Sequence, residues 1–299
     1  VQLFMKRGNF IEEVFYSFSY SPVFDEYGKV AGLFCPNFET THKVLNVRRN
    51  RTLSELAAKS LTEKTLNTAF ASAATTIAKN TADIPFAAFY MLNETGKKAK
   101  VIKQTATFEN NALLPHEFIL NDDSTLAETI RSGIPQIINL KGNTLNEGLA
   151  GQPVTKAIAL LLTSTVNKPA GVLVCGVNPT RYLDEDYLSF FETIAGHISA
   201  AIQNVAALEN ERKRLEELAE IDRAKTAFFS NISHEFRTPL TLMLGPLEDL
   251  MENHSLKQSE KKIIDTTHRN ALRLLKLVNT LLDFSLMESG RLKARFTPV

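Results

Sequence analysis

No apolar run in the 299 residues approaches the roughly 18 needed to cross a bilayer, and no secretory leader pattern opens the chain. The stretch is therefore expected to be soluble and cytoplasmic. Charge of one sign is not in excess either. A net charge of +1 gives no general pull toward nucleic acid or an anionic membrane, so no nucleic-acid partner is expected. Cysteine is scarce: Cys35 and Cys175 fall in separate apolar segments with no C-x-x-C or Cys/His spacing. That pattern predicts buried, reduced thiols and excludes a metal site or a disulfide framework. A glycine-rich phosphate loop is missing as well, so none of these residues is expected to hold a nucleotide. The chain opens at Val1 in mid-pattern, as a piece of something longer is expected to do.

What is present is 44% apolar residue content over a length suited to about two domains. Asn9 to Tyr20 alternates and is rich in aromatic and β-branched types, Ser21-Pro22 interrupts it, Asp25 to Lys29 turns, and Val30 to Phe38 follows. This predicts a hairpin with too little area to fold alone. From Glu39 a helical spacing takes over through Val44, Leu45, Leu53, Leu56 and Ala57, with Arg48, Arg49 and Arg51 expected on a solvated face. A second helix is predicted over Thr65 to Asn80. Strands are predicted at Pro85 to Leu92, Ala99 to Ala106, Gln136 to Leu140, Ala157 to Thr165 and Ala170 to Val177, with a helix from Ser124 to Ser132 stopped by Gly133. Asp184 opens a long helix with Glu185 and Asp186 in its first turn, where acidic groups favour the dipole. The fold class is α+β: an antiparallel sheet with flanking helices, continuing into all-α structure.

The apolar stripe of that helix persists through Ile198, Ile202, Val205, Leu208, Leu215, Leu218, Ile221 and Phe228, and no Gly or Pro interrupts it between Ala200 and Ser233. Such a helix either transmits a change of register or serves as a passive spacer. Beyond it, Phe229, Ile232, Phe236, Leu240, Met243, Leu247 and Leu250 recur at threes and fours, predicting one buried stripe. At about 100° per residue, His234 lies roughly 160° from Ile232 and from Phe236, so it faces outward, with Thr238 one turn further on that face. Pro239 has no N-H for the carbonyl of Glu235, and a bend is expected there, repeated at Gly245-Pro246. A water-facing imidazole can offer a neutral nitrogen as a nucleophile toward phosphorus, and the Glu235 carboxylate can take up its proton. After a polar loop over Met251 to Ser259, a second helix is predicted from Glu260 to Ser289. Its apolar face runs through Ile264, Thr267, Ala271, Leu274, Val278, Leu281 and Ser285, widened by Leu275 and Leu282. His254 and His268 are expected to be ordinary surface residues, as are His116 on a loop and His197 on a helix. Two stripes of this width cannot be hidden within a single hairpin, which predicts a homodimeric four-helix bundle.

The run Ser233-His234-Glu235-Phe236-Arg237-Thr238-Pro239-Leu240 resembles the phospho-acceptor box of sensor histidine kinases, and Leu281 to Gly290 resembles the end of their second dimerisation helix. The order of elements through Ser124–Gly133 and Lys168–Asn178 is similar to that of a GAF domain, without the NKFDE signature of cyclic-nucleotide binding or the Cys-His dipeptide that anchors bilin in phytochromes. Phe18 to Cys35 resembles the last strands of a PAS domain, the alternative being a hairpin that belongs to the next domain. The resemblance implies a PAS-like end at 1–46, a GAF-like sensor at 47–205, a signalling helix at 206–224 and a dimerisation and phospho-acceptor domain at 225–299. The implied parent is a protein histidine kinase, of the PAS/GAF-containing hybrid type. It further implies that His234 takes the γ-phosphoryl group of ATP and passes it to an aspartate of a response regulator receiver domain. Glu235 would be the assisting base, and Thr238 would orient water in the reverse, phosphatase direction. ATP and Mg are implied for an ATP-binding domain outside these residues, so the stretch alone is not expected to phosphorylate itself. No metal site is expected, and a GAF ligand is possible but cannot be named. The alternatives are a ligand-binding regulatory or dimerisation module without phosphotransfer, or a pure scaffold.

Overall fold

The computed structural model describes residues 1–8, 10–106, 113–140, 148–165, 168–252 and 257–288, the side chains of 285, 286 and 288 excepted. His254, Ser289, Gly290 and the following tail lie outside the described residues. The chain divides into two compact units, Val1–Glu209 and Asn210–Val299. Among the described residues no helix is long and apolar enough to cross a membrane.

The first unit opens with a small sheet. Strand β1 (Gln2–Arg7) pairs antiparallel with β2 (Phe10–Phe18), whose far end takes β5 (Asn37–Glu39) on its other edge. A separate hairpin of β3 (Ser21–Phe24) and β4 (Val30–Phe34) closes through a turn in which Asp25 Oδ1 accepts the backbone N-H groups of Tyr27 and Lys29. The single hairpin expected from sequence is thus two pairings, and β1 was not foreseen, because its six residues, exposed throughout, carry no alternation against a core. Cys35 lies just past β4 and is exposed, against the expectation of a buried thiol. Cys175 is buried, and desolvation pushes its thiol well above the usual range.

Helix α1 (Thr41–Ser60) and α2 (Leu66–Ala78) come next, α2 starting where the Thr65 hydroxyl accepts the N-H of Thr68 as an N-cap. The main sheet is antiparallel in the order β8-β7-β6-β11-β10-β9. Its strands are β6 (Ala87–Leu92), β7 (Lys98–Gln104), β8 (Glu117–Ile119), β9 (Gln136–Asn139), β10 (Lys156–Thr165) and β11 (Lys168–Gly176). Between β8 and β9, α3 (Thr125–Ser132) is capped by Ser124 and ended by Gly133 at φ 71, a left-handed position that glycine adopts without a Cβ penalty. Both faces of the sheet are covered, which is why β10 and β11 read as unbroken apolar runs. Phe89, Ile158, Leu160 and Leu173 point to α1, α2 and the start of α4 (Glu185–Glu252), where Leu56, Phe70, Ile77, Phe191 and Ile194 meet them. Ala88, Tyr90, Ala159, Val172 and Val174 point the other way, onto Leu126 and Ile130 of α3. Gly171 is required by the close approach of β11 to β6: a Cβ there would stand 1.8 Å from the carbonyl oxygen of Tyr90.

The arginine cluster on α1 is not the solvated face expected of it. Only Arg51 is solvent-facing, paired with Glu55. Arg48 forks between two carboxylates that are completely buried, with Nε and Nη2 on Asp83 at 2.8 and 2.9 Å and Nη1 and Nη2 on Glu13 at 3.2 and 3.0 Å. Burial by itself lowers the Arg48 pKa, but the bonds to Asp83 and Glu13 outweigh it and hold the guanidinium charged. Arg49, also buried, lies 4.3 Å over the ring of Tyr187 in the first turn of α4. The Tyr187 hydroxyl donates to the carbonyl of Asp83, and Asp184 Oδ1 accepts the N-H of Tyr187 as the helix N-cap. The reason this was missed is that periodicity marks apolar residues, and nothing in it shows that buried acids from β2 and from the α2–β6 turn will meet α1.

The second unit holds the rest of α4 and the whole of α5 (Gln258–Glu288). The connection is shorter than expected, since Met251 and Glu252 end α4 and Ser259 lies within α5. Helix α4 runs continuously through Pro239 and Pro246.

Candidate phospho-acceptor site

The face of α4 that packs on α5 in the second unit is built from Ser233, Leu240 and Leu244, which are buried, with half-buried Phe229, Arg237 and Leu247 beside them. The stripe predicted from sequence splits across this seam. Leu240 is inside, whereas Phe236, Met243 and Leu250 remain 52%, 51% and 43% exposed. On α5 the half-buried positions are Ile264, Asp265, His268, Ala271, Leu275, Val278, Asn279 and Leu282, while Leu274, Leu277, Leu281 and Phe284 stay exposed. Polar contacts also cross the seam among the described residues. Arg237 Nη2 donates to Asn279 Oδ1 at 2.9 Å, and His268 Nε2 lies 3.4 Å from Glu248 Oε1. His268, expected to be an ordinary surface residue, is instead half-buried and directed at α4.

With that seam fixed, the helical repeat turns His234, Glu235 and Thr238 outward, and all three are exposed. The Thr238 hydroxyl donates to the carbonyl of His234 at 3.2 Å, and the Thr241 hydroxyl donates to that of Arg237 at 2.9 Å. These back-bonds flank the carbonyl of Glu235, which loses its N-H partner because Pro239 has none. The ring of His234 and the carboxylate of Glu235 form no hydrogen bond or ion pair with each other among the described residues; adjacent helical positions point apart. An exposed imidazole with a hydroxyl on its own turn is open to a docking protein and can attack an electrophile without moving the backbone. No group of three or more metal-ligating side chains occurs among the described residues.

Sequence reasoning named His234, Glu235 and Thr238 but gave Arg237 no role and passed over Asn279. The available signal was an amide placed beside Val278, within the apolar stripe of the second helix.

Residues 61–203 match the GAF domain, and residues 224–290 match the His Kinase A (phospho-acceptor) domain. The chain thus carries a GAF domain and a phospho-acceptor domain of the histidine kinase type. Over 103 residues it is 39% identical to hybrid signal transduction histidine kinase D of Dictyostelium discoideum, covering 32% of this chain and 7% of that protein. Over 79 residues it is 47% identical to the sensor histidine kinase TmoS of Ectopseudomonas mendocina, covering 26% of this chain and 8% of that one. Each match therefore spans less than a tenth of the relative's length. Among solved structures, the GAF domain from an Acinetobacter phosphoenolpyruvate-protein phosphotransferase aligns over 52% of this chain and 93% of its own, at 16% identity and a TM-score of 0.40.

Proposed function

We propose that this chain is the sensory and phospho-acceptor part of a sensor histidine kinase. His234 takes the γ-phosphoryl group of ATP, bound with Mg on an ATP-binding domain, and hands it to an aspartate of a response regulator receiver domain. Glu235 takes up the ring proton, and Thr238 orients water when the regulator is dephosphorylated. The GAF domain sets the balance between the two directions, with a small molecule as its possible ligand, and the strands at 1–46 are the end of a PAS-like domain. The observation that carries this reading is the exposed ring of His234 on a helix whose adjoining face, about 100° round at Ser233, Leu240 and Leu244, is buried. The exposed apolar residues flanking that seam support a homodimer in which two hairpins form a four-helix bundle.

The test is transfer in trans. Incubated with Mg-ATP and the ATP-binding domain of a related histidine kinase, the chain is expected to acquire an acid-labile, base-stable phosphoryl group that His234→Gln eliminates. ATP alone is expected to leave it unlabelled. Equal labelling of the His234→Gln protein overturns the assignment and leaves the ligand-binding or scaffold reading. Thr238→Ala is expected to slow dephosphorylation of the regulator while sparing acceptor function, and an unchanged rate removes Thr238 from the site.

A further inference from the structure

We infer that Arg237 binds the phosphoryl group once it is on His234, and that Asn279 holds the guanidinium in reserve until then. This rests on the reading of His234 as the acceptor. A phosphorylated ring carries up to two negative charges beside the exposed carboxylate of Glu235 and needs a cation within reach. The helical neighbours of His234, at three and four residues to either side, are Ser230, Asn231, Arg237 and Thr238, so Arg237 is the cation among them. Its Cβ stands about 5–6 Å from that of His234, a gap a guanidinium spans easily. In the unmodified protein its contact across the seam is the 2.9 Å bond to Asn279 Oδ1, and no carboxylate among the described residues forms an ion pair with it. By contrast, Arg48 of the first unit is tied to two buried carboxylates and cannot be redirected at small cost. One bond to a neutral amide is weak beside a forked, charge-assisted contact with a phosphoryl dianion, so the side chain changes partners on phosphorylation. Arg237 is in this sense a phosphoryl ligand, and Asn279 a positioning residue acting through it.

The experiment uses the full chain labelled with phosphoramidate. The ring nitrogen forms the new P-N bond as the donor's P-N bond breaks, and the departing ammonia takes up the proton released from the other ring nitrogen. Phosphorus NMR then follows, against pH, the resonance that His234→Gln removes. A nearby guanidinium favours the dianion, so Arg237→Gln is expected to raise the second ionisation of that phosphoryl group by roughly one pH unit, with Arg237→Lys in between. Asn279→Ala frees the guanidinium and is expected to shift the ionisation the opposite way. Asn279→Asp holds it more tightly and shifts it as Arg237→Gln does. A merely structural bond predicts that Arg237→Gln and Asn279→Ala, which delete the same contact, act alike. If they do, or if neither moves the titration, the inference is overturned while the acceptor reading stands. If Arg237→Gln loses helicity, the two Asn279 variants decide it with Arg237 in place. Absence of any His234-dependent resonance overturns both readings.

Discussion

The two units treat apolar surface in opposite ways. In the first, a sheet whose two faces are both apolar is closed on one side by α1, α2 and α4 and on the other by α3, so that Phe89, Val172, Leu173 and Phe191 have no exposed area at all. In the second, each helix carries more apolar surface than a single partner helix can cover, and Leu277 and Phe284 are both 59% exposed. A sheet has two faces and the chain supplies a layer for each, whereas a pair of broad helical stripes leaves a remainder that only further helices can bury. Self-sufficient packing therefore belongs to the first unit, and the exposed His234 sits on the unit whose packing one chain leaves incomplete.

That contrast can be broken most directly in the sheet. Phe191→Ala is expected to destabilise the first unit by about 4 kcal/mol, because the cavity lies in a core that cannot collapse around it; denaturant unfolding followed by hydrogen exchange should show the loss in residues 41–205 and spare α5. Arg48→Met is expected to cost about 3 kcal/mol by leaving Glu13 and Asp83 buried without their shared cation. An unchanged midpoint would show that those acids protonate or reach water at little cost. In the hairpin, Leu277→Ala or Phe284→Ala should change the stability of a lone chain by less than about 0.5 kcal/mol yet shift a sedimentation profile from dimer to monomer. A profile that stays dimeric would place the interface elsewhere. The smallest effect is expected at Glu39. The Thr41 hydroxyl, and then Arg7, hold its carboxyl below the usual range, although burial opposes them. A depressed carboxylate stabilises fully above its ordinary pKa and loses that contribution as pH falls through the folded value. Hydrogen-exchange protection in β5 and the first turn of α1, taken relative to the intrinsic rate at each pH, should therefore fall on acidification, and Glu39→Gln should abolish that fall.

Much of this molecule is legible as pattern. The limits of α2, α3, β6, β10 and β11 fall within a few residues of those expected, because caps such as Thr65 and Ser124, the left-handed Gly133 and unbroken aliphatic runs are local signals. β8, three residues long, has no such signal and exists because β7 offers it an edge. The exposure of His234 follows from its angular distance to the apolar positions around it. Which of those positions turn inward does not: the predicted stripe joined Leu240 to Phe236 and Met243, but α5 covers a neighbouring line through Ser233, Arg237 and Leu244.

The amino-acid order by itself determined the class of fold, an α+β part followed by a helical pair, and the outward presentation of one histidine beside a threonine and a proline. Those depend on repeat angles and on caps, which act over a turn or a strand. Tertiary structure alone decided the pairing of Arg48 with Glu13 and Asp83, the approach of Arg49 to Tyr187, and the bond from Arg237 to Asn279. Each joins residues 35 or more positions apart, or elements from opposite ends of a unit. A buried charge takes whichever opposite charge folding brings within reach, and no local spacing encodes that meeting.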